Sequence, residues 1–224
     1  MRSKKHKRVV VAIFAHPDDE AFGPSGTMAK LAKSHDVYIL CATRGEGGTN
    51  STPTESKNLA KIRSKELRKS AKIIGAKGVY FLGFIDGTLS NSHYHALAKK
   101  IEAKLKLFKP GTLITFEPRG ISGHIDHITV SMVTTYLFYK LPFAKTLLYH
   151  CVSDQTTKLI KDYFIYFPPG YKKNQIDKVV DVSDVWETKK KAIMTHQSQI
   201  YDAKRILKQL KLMPKEEYFL VVEK

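Results

Sequence analysis

A chain of 224 residues with 42% hydrophobic composition has the length and apolar content for a full globular core, which excludes a disordered or fibrous polymer. No run approaches the ~18 apolar residues of a membrane span, and the basic start leads through "VVVAIFA" straight into acids, without the cleavage site of a signal peptide. The formal net charge of +17 suits nucleic acid or an anionic membrane, yet Lys57, Lys61, Lys65, Lys69 and Lys72 recur at the spacing of a solvated helix face, and no nucleic-acid-binding module accompanies them.

Arg8–Ala15 is a β-branched-rich apolar run that suits a strand buried on both faces. Pro24-Ser25-Gly26 opens a helix to about His35. Val37–Thr43 is a second strand, followed by the long loop "RGEGGTNSTPT". Thr54 is placed to cap a helix from Glu55 to Ile74 that ends at Gly75. Val79–Leu82 is a third strand, Asp86-Gly87 a turn, and Tyr94–Phe108 a helix stopped by Pro110-Gly111. Thr112–Phe116 is a fourth strand, "EPRGISG" a loop, Ile125–Tyr139 a helix and Thr146–Val152 a fifth strand. Past Ser153 the pattern loosens. Phe164–Phe167, Lys178–Val182 and Tyr218–Val222 read as strands, and Val185–Leu210 as one helix.

This alternation implies parallel βαβ crossovers and an α/β fold, a three-layer αβα sandwich with a mainly parallel sheet. No repeat, low-complexity tract or linker divides it, so residues 1–224 read as a single domain. In such a sheet ligands bind at the carboxyl ends of the strands, where the loops carrying His16, Glu46, Asp86 and His124 are expected to gather. Cys41 and Cys151 lie in apolar surroundings far apart in the chain. They read as buried reduced thiols and point to a cytoplasmic location.

The chemistry concentrates in two short stretches. "HPDDE" (His16–Glu20) sets three consecutive acids beside a histidine, and like charges so placed call for a cation among them. "GHIDH" (Gly123–His127) offers His124, Asp126 and His127 just past another strand. Two histidines and a carboxylate at one end of a sheet are the ingredients of a catalytic zinc site with an open position, and they also suit non-haem iron. Arg63 falls within the apolar stripe Ala60, Leu67, Ala71, Ile74 and so points toward the sheet. Its partner there is a sugar hydroxyl, a carboxylate, or an acid such as Glu66 in an ion pair. "RGEGG" lacks both the dinucleotide fingerprint and the P-loop lysine, so the fold does not imply NAD. His196, in "HQSQ" on the late helix, reads as a structural hydrogen-bonding residue.

The two stretches resemble those of the N-acetylglucosaminyl deacetylases of the LmbE/PIG-L type, through "AHPDDE" (Ala15–Glu20) and "GHIDH". "TRGEGG" (Thr43–Gly48), Arg63-x-x-Glu66, "LGFIDG" (Leu82–Gly87) and "HQSQ" (His196–Gln199) extend the resemblance in the family's order. It implies a Rossmann-like α/β domain that hydrolyses N-acetyl groups from amino sugars, usually with zinc. It also implies His16, Asp19 and His127 as metal ligands, Asp18 as general base, His124 as a catalytic histidine with Asp126 as its orienting partner, and Glu46, Arg63 and Asp86 as sugar contacts. Amide hydrolysis suits such a set. Zinc with three protein ligands lowers the pKa of its water to ~7, and a neighbouring carboxylate takes the proton. A charged His124, its pKa raised by Asp126, would face the oxyanion. Glu20 is left to cap the next helix or to hydrogen-bond behind the ligands.

Two other classes use the same residues: another metal-dependent hydrolase, such as a phosphoesterase on an anionic substrate, and a basic nucleic-acid-binding protein with a structural metal. Structural zinc is normally closed by four protein ligands, which argues against the latter. The expected cofactor is Zn2+, with Fe2+ as the alternative. The expected partner is a small-molecule or glycoconjugate amino-sugar substrate. Nucleic acid is disfavoured, while peripheral contact with anionic lipid and a homo-oligomer remain compatible.

Overall fold

In a computed structural model of the chain, which describes residues 8–48, 58–90, 92–160 and 166–224, the run RVVVAIF forms β1 (Arg8–Phe14). Val11, Ala12 and Ile13 are wholly buried because helices cover both faces of the sheet. β2 (His35–Cys41) lies parallel along one side of β1, with Val10 opposite Val37 and Phe14 opposite Cys41. β3 (Gly78–Phe81) continues beyond β2. On the other side β4 (Thr112–Phe116) pairs parallel with β1, and β5 (Thr146–Cys151) with β4. β7 (Glu216–Glu223) then runs antiparallel to β5, and β6 (Lys178–Asp181) antiparallel to β7. The seven-stranded order among the described residues is β3-β2-β1-β4-β5-β7-β6.

α2 (Ser25–Ala32), α3 (Leu59–Ile74), α8 (Trp186–Met194) and α9 (Ile200–Leu210) pack on one another as one layer, and α4 (His93–Phe108) with α6 (Ile125–Lys140) as the other. Among the described residues there are also three single α-turns, α1 (Asp19–Phe22), α5 (Gly120–Gly123) and α7 (Asp154–Thr157). The predicted lysine face of α3 is solvated at Lys61, Lys65, Lys69 and Lys72, while Arg63, Leu67, Ala71 and Ile74 are buried. Gly75, at φ +88°, ends the helix in the left-handed conformation that favours glycine. Lys57 and the expected cap at Thr54 with its start at Glu55 lie outside the described residues.

Two expectations about the last third of the chain need correction. Val185–Leu210 is not one helix: α8 ends at Met194 and α9 begins at Ile200, with His196 in the break between them. The residues of the break have partners elsewhere in the fold, His196 on Glu20 and Ser198 on Glu66, and these override the helical periodicity. Of the strand expected at Phe164–Phe167, Phe164 lies outside the described residues, and Tyr166 and Phe167 are not in a strand. Cys41 and Cys151 are buried free thiols. Among the described residues no helix is long and apolar enough to cross a membrane.

The order of strands positions the site. From β1 the chain moves outward to β2, and from β4 it moves outward to β5 on the opposite side. Crossovers that leave two neighbouring strands in opposite directions open a crevice at the carboxyl ends of those strands. His16 follows β1, and His124, Asp126 and His127 follow β4, so both stretches empty into that crevice.

Candidate metal centre

Three side chains converge where β1 and β4 end. Nδ1 of His16 lies 3.2 Å from Nε2 of His127. Asp19 closes the triangle, with Oδ2 3.7 Å from His16 Nδ1 and Oδ1 3.3 Å from His127 Nε2. The outer nitrogens of both rings are already committed. His16 Nε2 donates to Asp86 Oδ1 at 2.8 Å and lies 3.2 Å from Asp126 Oδ2. His127 Nδ1 lies 3.1 Å from the Gly120 carbonyl oxygen, to which it donates. Two imidazole lone pairs and a carboxylate therefore point at one place. Three acceptors without a donor repel, so a proton or a cation must sit among them. Without a metal the proton does: burial disfavours a charged His16, but hydrogen bonds to Asp126 and Asp86 outweigh it and lift the ring to about 10.

The donor set fits a divalent metal. Ligand bonds of about 2.0–2.1 Å in a tetrahedral site set ligand atoms about 3.3–3.4 Å apart, close to the separations seen here. Carboxylates behind a ligating histidine and a backbone carbonyl behind another are the usual means of fixing the metal-binding nitrogen. His127 is further held by Phe116, whose ring stacks on it at 4.1 Å with an interplanar angle of 3°. Its carbonyl partner is steadied by Glu117, a buried carboxylate that accepts from the amides of Arg119 (2.9 Å) and Ile121 (2.8 Å) and from the Tyr171 hydroxyl (2.7 Å). Ile121 sits at φ +63°, a left-handed conformation rare for a β-branched residue and worth about 1–3 kcal/mol of strain.

Asp18 faces the same crevice from a backbone at φ 117°. Its amide donates to Glu20 Oε2 (3.0 Å), and Arg63 Nη2 lies 3.0 Å from its Oδ2. Burial raises the Asp18 carboxyl to about 6 against the pull of Arg63. Asp19 behaves oppositely: burial would raise it, but His127 and His16 hold it well below the usual carboxylate range. Arg63 also donates to the carbonyls of Pro17 (2.7 Å) and Gly45 (2.8 Å). Two glycines of "RGEGG", Gly45 and Gly48, make room for this guanidinium. A Cβ on Gly45 would come within 2.5 Å of Arg63 Cζ, and one on Gly48 within 2.4 Å of its Nη1. The expected link from Arg63 to Glu66 is absent. Glu66 instead accepts from the amide and hydroxyl of Ser198, at 2.8 and 2.6 Å.

The structure rearranges several expected roles. The Asp126 carboxylate lies 3.2 Å from His16 Nε2 and accepts from the amides of Gly87 (2.8 Å) and Leu89 (3.1 Å), and one of its oxygens is within 4.8 Å of a His124 ring nitrogen. It is the Asp126 amide that meets His124, donating to Nδ1 at 3.2 Å. The His124 ring is lowered on balance, by burial first and then by the neighbouring His127 and His16, although Asp126 pulls it upward as expected. Asp86 is a partner of His16 and of the Gly47 amide (3.1 Å). Glu46 is exposed, and its carboxylate accepts from the Arg44 amide (3.1 Å); it does not line the crevice. Arg63 and Asp86 do line it, with His16, Asp18, Asp19, His124 and His127.

Gln199, in the break, and Asp202, in the first turn of α9, are also on its wall; neither was assigned a role from sequence because the break before α9 was not foreseen. Glu20 acquires a definite place: its Oε1 lies 2.8 Å from Nε2 of His196, with both side chains excluded from solvent. His196 thus anchors the α8–α9 break to the stretch that holds Asp18.

The profile of the family described as PIG-L: GlcNAc-PI de-N-acetylase matches residues 11–138, which hold both motif stretches. The chain belongs to the PIG-L family. It is 31% identical over 195 residues to the diacetylchitobiose deacetylase of Thermococcus kodakarensis, covering 85% of this chain and 69% of that protein. It is 30% identical over 198 residues to the probable N-acetyl-alpha-D-glucosaminyl L-malate deacetylase 2 of Bacillus cereus, covering 86% and 84%. The N,N'-diacetylchitobiose deacetylase of Pyrococcus horikoshii shares the fold at a TM-score of 0.75, with 24% identity over 98% of this chain and 85% of that one. These PIG-L relatives carry the deacetylase reaction in their names, and the His16–Asp19–His127 triangle of this chain is a group that can bind a metal.

Proposed function

We propose that this chain is a zinc-dependent amidohydrolase that removes the acetyl group from an N-acetylglucosamine-type amino sugar. The observation that carries this reading is the convergence of His16 Nδ1, His127 Nε2 and Asp19 on one point, with the Asp18 carboxylate beside it. A divalent cation held there would acidify a water and polarise the amide carbonyl. Asp18, raised to about 6, accepts the proton of the attacking water near neutral pH, and Arg63 keeps its carboxylate in place. His124, with Nδ1 occupied by the Asp126 amide, carries its proton on Nε2 and as a neutral ring donates a hydrogen bond to the developing oxyanion. Asp86 and Asp126 orient His16. Arg63 and Asp86 keep these inner contacts while facing the crevice, where they meet sugar hydroxyls.

A phosphoesterase reading suits the crevice less well, since Asp18, Asp86 and Asp202 on its wall would repel a phosphate. The deciding experiment measures acetate release from N,N'-diacetylchitobiose and N-acetylglucosamine glycosides, with chelation and zinc replacement, beside phosphate release from an aryl phosphate. Chelator-sensitive acetate release is expected. Phosphate release without acetate would overturn the reading.

A further inference from the structure

Two hollows meet at the ligand triangle. The crevice just described, ≈ 240 Å³, is polar and suits a sugar ring. A second, ≈ 190 Å³, shares Asp19, Phe22, Ser122 and His127 with it as common walls. The exposed surface of this second chamber is mainly carbon. Phe22, Phe116, Ile121, Val152, Ile206 and Leu210 supply much of it. Its charged members are spent elsewhere: Lys189 is 2.6 Å from both Glu217 Oε1 and the Gly23 carbonyl oxygen. His150, also on the wall, is driven down to about 4 by burial and so presents a neutral ring at pH 7.

A substrate amide held at the triangle has two arms, the amino sugar on nitrogen and the alkyl group on the carbonyl carbon. The polar hollow takes the sugar arm, which leaves the apolar chamber for the other. An acetyl group sends one methyl there. A dry apolar cavity of about 150 Å³ already holds a benzene-sized guest, so this chamber exceeds the need of a methyl several times over. An apolar aglycone is less well placed, because it leaves from the sugar and would have to pass the ligand triangle to reach the chamber.

We propose that the chamber beside His127 is an acyl subsite, and that the chain hydrolyses N-acyl amino sugars with acyl groups longer than acetyl, about four to six carbons. The inference rests on the amidohydrolase reading above. The bond balance is unchanged: the amide C–N bond breaks, the water oxygen joins the acyl carbon, a proton of that water passes to the leaving nitrogen, and the products are a short-chain carboxylate and the free amine.

The test follows free-amine release from glucosamine carrying N-acetyl, N-butyryl or N-hexanoyl groups. The expected kcat/KM rises from acetyl to hexanoyl, by up to about fourfold per added methylene, from about 0.8 kcal/mol each. Ile206→Trp, which fills the chamber, should cut the hexanoyl-to-acetyl ratio at least tenfold. Ile206→Ala should raise it. In the hydrolysis-impaired Asp18→Asn protein, calorimetry should show the N-hexanoyl sugar binding at least tenfold tighter than the N-acetyl sugar. Acetate release with hexanoyl rejected, or a ratio unmoved by both Ile206 variants, overturns the acyl subsite and leaves the deacetylase standing. Failure to hydrolyse any of the three removes the reading beneath it and the proposal together.

Discussion

Two buried acidic clusters lie close together in this fold, and they solve the same electrostatic problem differently. At the first, Glu217 from β7 accepts from the amides of Gly26 (2.9 Å) and Thr27 (2.7 Å) at the start of α2, and pairs with Lys189 at 2.6 Å. Burial would raise its carboxyl, but Lys189 outweighs that and holds it down. That cluster is complete: its cation is a side chain of the same chain, and the positive end of a helix assists it. At the second, Asp18, Asp19, Asp86 and Asp126 crowd around His16, with Arg63 as the one permanently charged partner within the ion-pair distances described. A proton on His16 supplies the missing positive charge there, and a divalent metal can replace it. At the first cluster the chain supplies the balancing cation in full, and at the second it leaves part of that charge to a proton or an outsider.

The largest effect should come from exchanging members across this divide. His127→Ala should abolish both stoichiometric zinc, read by elemental analysis, and turnover. Glu217→Gln should keep zinc at one per chain but cost about 3–5 kcal/mol in denaturant unfolding, because it strands Lys189. A metal-replete His127→Ala protein would refute the ligand assignment. Asp18→Asn should keep zinc while lowering kcat by about 10²–10⁴, the range of a lost general base. A fully active variant would remove that role. Asp126→Asn sharpens the view of the acid behind His16. Zinc affinity should fall about 10–100-fold in competition with a chromogenic chelator, whereas a change confined to the pH profile of turnover would return Asp126 to His124.

The smallest effect is a slope. His16 is raised from 6.5 to about 10 in the metal-free fold, so the native state holds a proton that the unfolded chain has released in this window. Its stabilisation is full below pH 6.5 and fades as pH climbs through 10. Thermal unfolding of the metal-free chain should therefore lose stability over that range relative to the zinc-loaded chain, in which the cation has already displaced the proton. Parallel curves for the two forms would contradict this account.

Much of the architecture was legible because it rests on local signals. The strands from Arg8 to Cys151 are apolar runs between turns, and Gly75 and Pro110 mark helix ends where expected. The clustering of His16, Asp19 and His127 was legible because acids and histidines at strand ends have few other uses. Partnerships across the sheet edge were not. Asp126 and His124 are neighbours in sequence, but Gly87, Leu89 and His16 reach Asp126 from other loops, and no spacing encodes that approach. The α8–α9 break failed for the same reason. "HQSQ" carries no helix breaker, and what interrupts it are Glu20 and Glu66, far away in the chain.

The pairing of His16 with His127 spans 111 residues. During synthesis at about 5–20 residues per second, the first two ligands wait roughly 5–20 s for the third. His16 and Asp19 alone make a poor chelate, and the cage closes only when β4 docks beside β1. A metal held by this triangle would therefore enter the finished fold. Its identity would be set by the dimensions of a preformed cage and by the metals at hand when it closes, more than by the intrinsic appetite of a nascent chain for copper or nickel.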